Sequence, residues 1–257
     1  MGMATPSQRD LRPPRPASAG IGIPALQSLI DGGWGRAYNS RMSRRIQVSA
    51  EAPEAAAIAA AVEALRAGEL VIFPTETVYG IGCDPDNPAA LARLYEAKGW
   101  PTPRPIVLLV GEREGLGRVA AAAPELAVRA ATHFWPGPLT AIVAAGPAAP
   151  AGVLGEGRTV GVRMPDHAVV LALLARFGSP LASTSANPTG QPAPAAPEQI
   201  PDSLRQRVAV SLESGLARAG VASTVVDFTV TPPRVLREGA ISLARLREAL
   251  GEIETAS

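Results

Sequence analysis

Cysteine occurs once in the 257 residues, at Cys83, and histidine twice, at His133 and His167. A lone thiol excludes a disulfide framework and suits a reducing compartment, so a cytoplasmic setting is expected. Two histidines and no cysteine pair leave no zinc-binding set. No apolar run approaches the ~20 residues that a membrane-spanning helix needs; residues 168–174 are the longest candidate and fall far short. The G-x-x-x-x-G-K-[ST] loop is missing, which excludes an ordinary P-loop ATPase. The G-x-S-x-G elbow is missing too, and histidines in unrelated contexts argue against a Ser-His-Asp hydrolase. Lysine is almost absent as well: of 24 basic side chains only Lys98 is one.

What is present is the composition of a folded protein, 47% apolar and 18% charged, long enough to bury a substantial core. The net charge of +1 hides an asymmetry. Residues 1–45 carry seven arginines against Asp10 and Asp31, while the remaining chain is acidic by four charges. A body of that sign is not a general nucleic-acid binder, because such binding rests on phosphate neutralisation. Any anion site must be a local cluster. Residues 1–45 are rich in Arg, Pro, Gly and Ser and are expected to be disordered. Either they form a targeting leader whose prolines and glycines spoil an amphipathic helix, or translation starts at Met42. The folded unit is then residues 46–250, with 251–257 as a tail.

Along the chain, residues 53–67 predict an Ala-rich helix closed by Gly68, with Ile58, Val62 and Leu65 on one stripe. An apolar strand at 70–73 is stopped by Pro74 and followed by a polar turn, Thr75-Glu76-Thr77. Asn87-Pro88 opens a helix over 89–98 that stops at Gly99 and delivers Lys98. Strands are expected at 106–110, 139–144, 159–164, 181–182, 208–212, 224–228 and 234–236, and a charged loop at 111–117. Helices are expected at 124–134, at 167–177 behind a Pro165-Asp166 cap, and after Ser242. This interleaving of strands and helices makes the class α/β or α+β around one mixed sheet. No repeat and no second domain is visible.

The residues able to carry chemistry are hydroxyl turns and spaced cations: Thr75/Thr77, Lys98, Arg104, Thr140, Arg163, Ser183/Ser185/Asn187, Ser223/Thr224 and Arg237. Lys98 reads either as a compact charge kept for a site or as a favourable cation at a helix C-terminus. Asp84 and Asp86 sit in a Pro-containing loop and read more readily as turn residues than as metal ligands. Hydroxyls and cations without a nucleophile–base pair suit an anionic ligand held for in-line transfer, where positioning and charge neutralisation supply the catalysis. Ser/Thr turns are also commonly structural.

Six segments in order resemble one family. They are residues 74–82 (PTETVYGIG), Lys98-Gly99, residues 134–140 (FWPGPLT), residues 162–165 (VRMP), Ser185-Ala186-Asn187 and residues 223–227 (STVVD). Together they look like the YrdC-type threonylcarbamoyl-AMP synthases, and the resemblance spans about residues 46–250. It implies a single α/β domain whose twisted mixed sheet lines a deep cationic groove. It also implies a reaction, in which L-threonine, bicarbonate and ATP give L-threonylcarbamoyladenylate and pyrophosphate. Separate partner proteins then pass the carbamoyl group to adenosine in tRNA. On matching positions the resemblance places Thr77, Ser183 and Ser223 toward threonine, and Lys98, Thr140, Ser185, Asn187 and Arg237 on ATP. Arg104 would meet the phosphates and Arg163 support the groove; magnesium would accompany the triphosphate, though no ligand set for it is visible.

The chain departs from the family pattern in places. Where the family has Lys-x-Arg, this chain has Lys98-Gly99-Trp100, which replaces five donors and a full charge by an indole. Such a loss at an electrostatic clamp costs on the order of 3 kcal/mol. Leu109 stands where a histidine is often found, Ala193 where a serine is usual, and Ala222 where glutamate is frequent. Three readings of Trp100 follow: a packing residue with Arg104 covering the phosphates, a paralogue that binds nucleotide or RNA with little or no catalysis, or an adenine-stacking platform. A hydrogenase-maturation carbamoyltransferase domain is a further relative of such sequences, but normally comes with Cys-rich zinc segments, against which the lone Cys83 argues.

Overall fold

The computed structural model describes residues 43–256. The expectations for the leader and for a start at Met42 therefore lie outside the described residues, up to residue 42. Among the described residues eleven strands form one mixed sheet in the order β1-β8-β2-β3-β7-β4-β6-β5-β9-β10-β11. The strands are β1 (Arg44–Gln47), β2 (Val71–Phe73), β3 (Gly80–Cys83), β4 (Val107–Leu109), β5 (Leu139–Ala144) and β6 (Thr159–Arg163). They continue with β7 (Leu181–Ser185), β8 (Val210–Glu213), β9 (Thr224–Asp227), β10 (Arg234–Arg237) and β11 (Glu254–Thr255). The helices are α1 (Ala55–Arg66), α2 (Pro88–Lys98), α3 (Gly115–Val119), α4 (Glu125–Phe134), α5 (Ala168–Phe177), α6 (Asp202–Arg205) and α7 (Leu243–Leu250).

Alternation along the central strands divides the core in two. One face turns Ile72, Ile81, Ala182, Leu108, Val162, Ala141 and Val226 into a cluster shared with Leu91, Leu94 and Tyr95 of α2, Ala127 and Ala130 of α4, and Leu246 and Leu250 of α7. The opposite face turns Val71, Phe73, Leu109, Leu181, Val210 and Leu212 against α1 and α5. Those two helices cover only part of that face. Beyond them the same side of the sheet carries Gly80, Val107, Thr140, Gly161, Arg163, Ser183 and Ser185, which no helix covers and which line a cavity.

Local chemistry explains most boundaries. Asn87 accepts from the backbone N–H of Ala89 and Ala90 through its side-chain oxygen, at 3.0 and 3.1 Å, and Gly99 closes α2 at φ 64°. Ser242 opens α7 by accepting from the Arg245 N–H. α5 starts one residue later than expected, and its cap is His167, whose Nδ1 accepts from the Val169 N–H at 3.3 Å. Asp166 turns outward to Arg218 instead.

The charged loop expected over 111–117 is in part a short helix, α3, packed under Val110. β3 has no counterpart in the expected strands, because Gly-Ile-Gly-Cys has low intrinsic strand preference. β7 runs through Ser185, so the hydroxyls of Ser183 and Ser185 sit on a sheet face rather than in a turn. β1 begins at Arg44, where Arg45 and Arg205 both pair with the buried Glu213. At the other end Ile253 is buried and β11 pairs with β10, so the chain remains ordered past residue 250.

Candidate active site

The uncovered part of the sheet is the floor of a cavity of about 1040 Å³. Register builds it: Gly80 lies opposite Ser185, Val107 opposite Ser183, and Thr140 opposite Val225. All of these project to the same side. Small residues make the hollow. A Cβ on Gly80 would lie 3.0 Å from the Phe73 ring and 3.1 Å from the Ser183 hydroxyl, whereas one on Gly161 would find its nearest atoms at 3.5 and 3.6 Å.

Of the residues singled out in the sequence, Thr75, Arg104, Thr140, Arg163, Ser183, Ser185, Ser223 and Arg237 line this cavity. Thr77, Lys98 and Asn187 do not; they stand behind its wall. Thr77 is fully buried and accepts from Nη2 of Arg163 at 2.9 Å. That same amine reaches Glu76 at 2.7 Å, and Nε of Arg163 donates to the Gly137 carbonyl at 3.3 Å. Arg163 is thus fixed from both sides, by the Thr75–Thr77 turn and by the Trp135–Pro138 turn. Gly137 is required there, since a Cβ would fall 2.4 Å from the Phe134 carbonyl oxygen.

Lys98 was expected on phosphate. Its Nζ instead donates to the Ser185 carbonyl at 2.7 Å and to the carbonyl of Asn187, with the Asn187 side-chain oxygen at 3.5 Å. Asn187 spends its amide on the Pro188 and Gln191 carbonyls. These two residues brace the strand end that presents Ser185. Burial lowers the Lys98 pKa to about 8.

At the far wall Thr140 and Ser223 share a hydroxyl hydrogen bond of 2.9 Å. Arg237 donates to the Ser223 carbonyl from Nε at 3.1 Å and Nη2 at 2.9 Å. Thr224, on the opposite side of β9, accepts from the N–H groups of Gly239 and Ile241 and so ties the strand to the segment following Arg237. Burial depresses the Arg237 pKa, and the neighbouring Arg163 charge depresses it further. Two guanidiniums that repel one another across an open cavity, one of them with no carboxylate partner among the described residues, form a site that an anion stabilises.

Glu156 and Leu236, which no motif contains, also line the cavity, as do Tyr79, Val225 and Asp227, which lie in the motif segments 74–82 and 223–227 but had been given no role. Strand register puts Val225 and Asp227 on the cavity side, opposite Thr140 and Ile142. Trp100 is at the rim. Its Nε1 donates to the Thr189 hydroxyl at 2.8 Å, and its ring meets Tyr95 edge-on at 5.4 Å. Asp84 accepts from the Asp86 N–H at 3.0 Å, which is a turn contact. Among the described residues no group of three His, Cys, Asp or Glu side chains could hold a metal ion. No described helix is long and apolar enough to cross a membrane.

Comparison with known proteins places the sequence and the fold. Residues 63–239 match the family model Sua5/YciO/YrdC, which carries the description telomere recombination. A threonylcarbamoyl-AMP synthase of Pyrococcus abyssi is 38% identical over 189 residues, covering 74% of this chain and 56% of that protein. One of Vibrio cholerae is 37% identical over 182 residues, covering 70% of this chain and 95% of that protein. The chain spans little more than half the length of the P. abyssi and Bacillus subtilis relatives. Among solved structures, P. abyssi Sua5 complexed with L-threonine superposes with a TM-score of 0.79 at 36% identity, covering 83% of this chain and 63% of that one. Escherichia coli YciO superposes at 0.74 with 28% identity, covering 80% of this chain and all of that one. With its family model matched over more than half its length and its sheet shared with these structures, the chain belongs to the Sua5/YciO/YrdC family.

Proposed function

We propose that this chain is a threonylcarbamoyl-AMP synthase, joining L-threonine, bicarbonate and ATP into L-threonylcarbamoyladenylate with release of pyrophosphate. The observation that carries the reading is the cavity wall. Arg104, Arg163 and Arg237 face a hollow floored by glycine and hydroxyl side chains, and Arg237 has no acidic partner among the described residues. Threonylcarbamoyl-AMP synthases among its relatives, and the L-threonine complex of the P. abyssi protein, support the same assignment.

In this reading the threonine amine takes up bicarbonate to give a carbamate, with loss of water. A carbamate oxygen then attacks the α-phosphorus, forming the new O–P bond as the bond to the pyrophosphate oxygen breaks. No side-chain nucleophile takes part. The chain aligns the reactants and neutralises charge, which suffices for an in-line phosphoryl transfer. Ser183 and Ser223 present hydroxyls to threonine, and Thr77 acts one bond back by orienting Arg163. Thr140, Ser185 and Arg237 hold the nucleotide, while Lys98 and Asn187 keep Ser185 in place. Magnesium would accompany the triphosphate and offset its charge, with Glu156 and Asp227 the carboxylates of the cavity lining that would face it. The adenylate is handed to tRNA-modifying partner proteins in the cytoplasm.

The test is pyrophosphate release with detection of the adenylate by mass spectrometry. Release should require threonine and bicarbonate together and fall on the order of a hundredfold in Arg237→Ala. A second reading, a nucleotide- or RNA-binding paralogue with little catalysis, is favoured by Trp100 alone. It would prevail if the native chain released no pyrophosphate and Trp100→Arg did.

A further inference from the structure

Trp100 lies between two cations. Nζ of Lys98 is 5.7 Å from its ring centroid, and Cζ of Arg104 is 5.8 Å from it. Within ~6 Å a guanidinium over an indole face is attracted by the ring quadrupole. The indole is itself held. Its N–H bonds Thr189, whose hydroxyl donates in turn to the Lys98 carbonyl at 3.1 Å, and Tyr95 packs against its edge. Tyr95 also grips the backbone of Arg104, donating to its carbonyl at 2.6 Å and accepting from its N–H at 3.0 Å. The backbone of Arg104 and the ring beside its side chain are thus braced from one residue, Tyr95. The guanidinium remains exposed at the rim and lines the cavity beside Pro105 and Trp100.

We propose that Trp100 is a positioning residue for triphosphate binding: its indole pre-orders Arg104, so that Arg104 supplies the cation at the outer phosphates of the nucleotide. An exposed arginine ordinarily loses rotamer freedom when it binds, and a stacked one has lost part of it already. Trp100 therefore contributes to phosphate affinity without touching phosphate. This rests on the function proposed above, which puts a triphosphate in the cavity.

Two measurements on the full chain separate the two ideas. By NMR, the Arg104 side-chain δ-protons of the native chain should be shifted upfield by the indole ring current. They should return to ordinary values in Trp100→Leu and stay shifted in Trp100→Phe. By calorimetric titration, Trp100→Leu and Arg104→Gln should each weaken ATP on the order of tenfold. Adenosine affinity should hold in both. The double variant should be no weaker than Arg104→Gln, because the indole acts only through the guanidinium. Trp100→Phe should recover most of the ATP affinity.

An unshifted Arg104 in the native chain overturns the pairing. Additive losses, or an equal loss for adenosine, overturn the positioning role. A native chain that keeps the shift but binds no ATP overturns the proposed function and leaves the pairing standing.

Discussion

At the scale of single residues, the buried charges divide by what they touch. Arg163 and Glu76 are both buried and meet at 2.7 Å. Removing one partner strands the other in a poorly solvated place. Arg163→Ala is therefore expected to cost about 3–5 kcal/mol by denaturant unfolding, with part of the loss recovered when Glu76→Gln is added. Lys98 follows a different logic. Its folded pKa, about 8, lies below the unfolded value of 10.5. Its burial penalty is present in full below pH 8 and is relieved as pH rises toward 10.5, because only the unfolded chain holds the extra proton in that window. Relative to Lys98→Met, the native chain should gain melting temperature between pH 8 and 10. At neutral pH the variant should still be less stable by about 1–3 kcal/mol, since the Ser185 and Asn187 carbonyls lose their donor.

At the scale of elements, the site depends on close backbone approaches. Gly239 follows β10, and a Cβ there would fall 2.2 Å from the Ala222 carbonyl oxygen and 2.7 Å from the Ser223 carbonyl. Gly239→Ala must push β10 away from the start of β9, and with it Arg237 from Ser223. Pyrophosphate release should fall at least tenfold, roughly the 1.4 kcal/mol that one misplaced charge-assisted bond represents. Gly161 on β6 is the converse case. Its neighbours leave room, and its missing side chain is part of the cavity floor. Gly161→Val suits a strand and should keep or raise the melting temperature. The same change should cut ATP affinity in titration by filling the hollow.

For the molecule as a whole, helices cover both faces of the sheet only where α1 and α5 pack, and part of the remaining face opens onto the cavity. A structure with an uncovered, cation-lined hollow gains stability when the hollow is filled. Thermal unfolding should shift upward with ATP, and further when L-threonine is added. A ligand at a hundred times its dissociation constant contributes about 2.7 kcal/mol, or on the order of 5–10 °C for a domain of this size. Equal melting temperatures with and without both ligands would remove the cavity from consideration as the binding site.

Much of this was readable along the chain. Capping and period alone located α1, α2, α4 and α7 and most strands, because a helix stripe and an Asn or Gly stop are local chemistry. The hydroxyl and arginine residues of the cavity were likewise visible as residue types at turn and strand ends. β3 was not, since glycine hides a strand whose existence depends on its neighbours. Nor was the division of labour between Ser185, which faces the hollow, and Lys98, which holds the strand from behind. Which side of a strand a residue occupies is set by register, and register is decided by pairings between strands far apart in the chain. Sequence thus determined which groups were available, whereas the folded sheet decided which of them share a cavity and which are spent on holding it open.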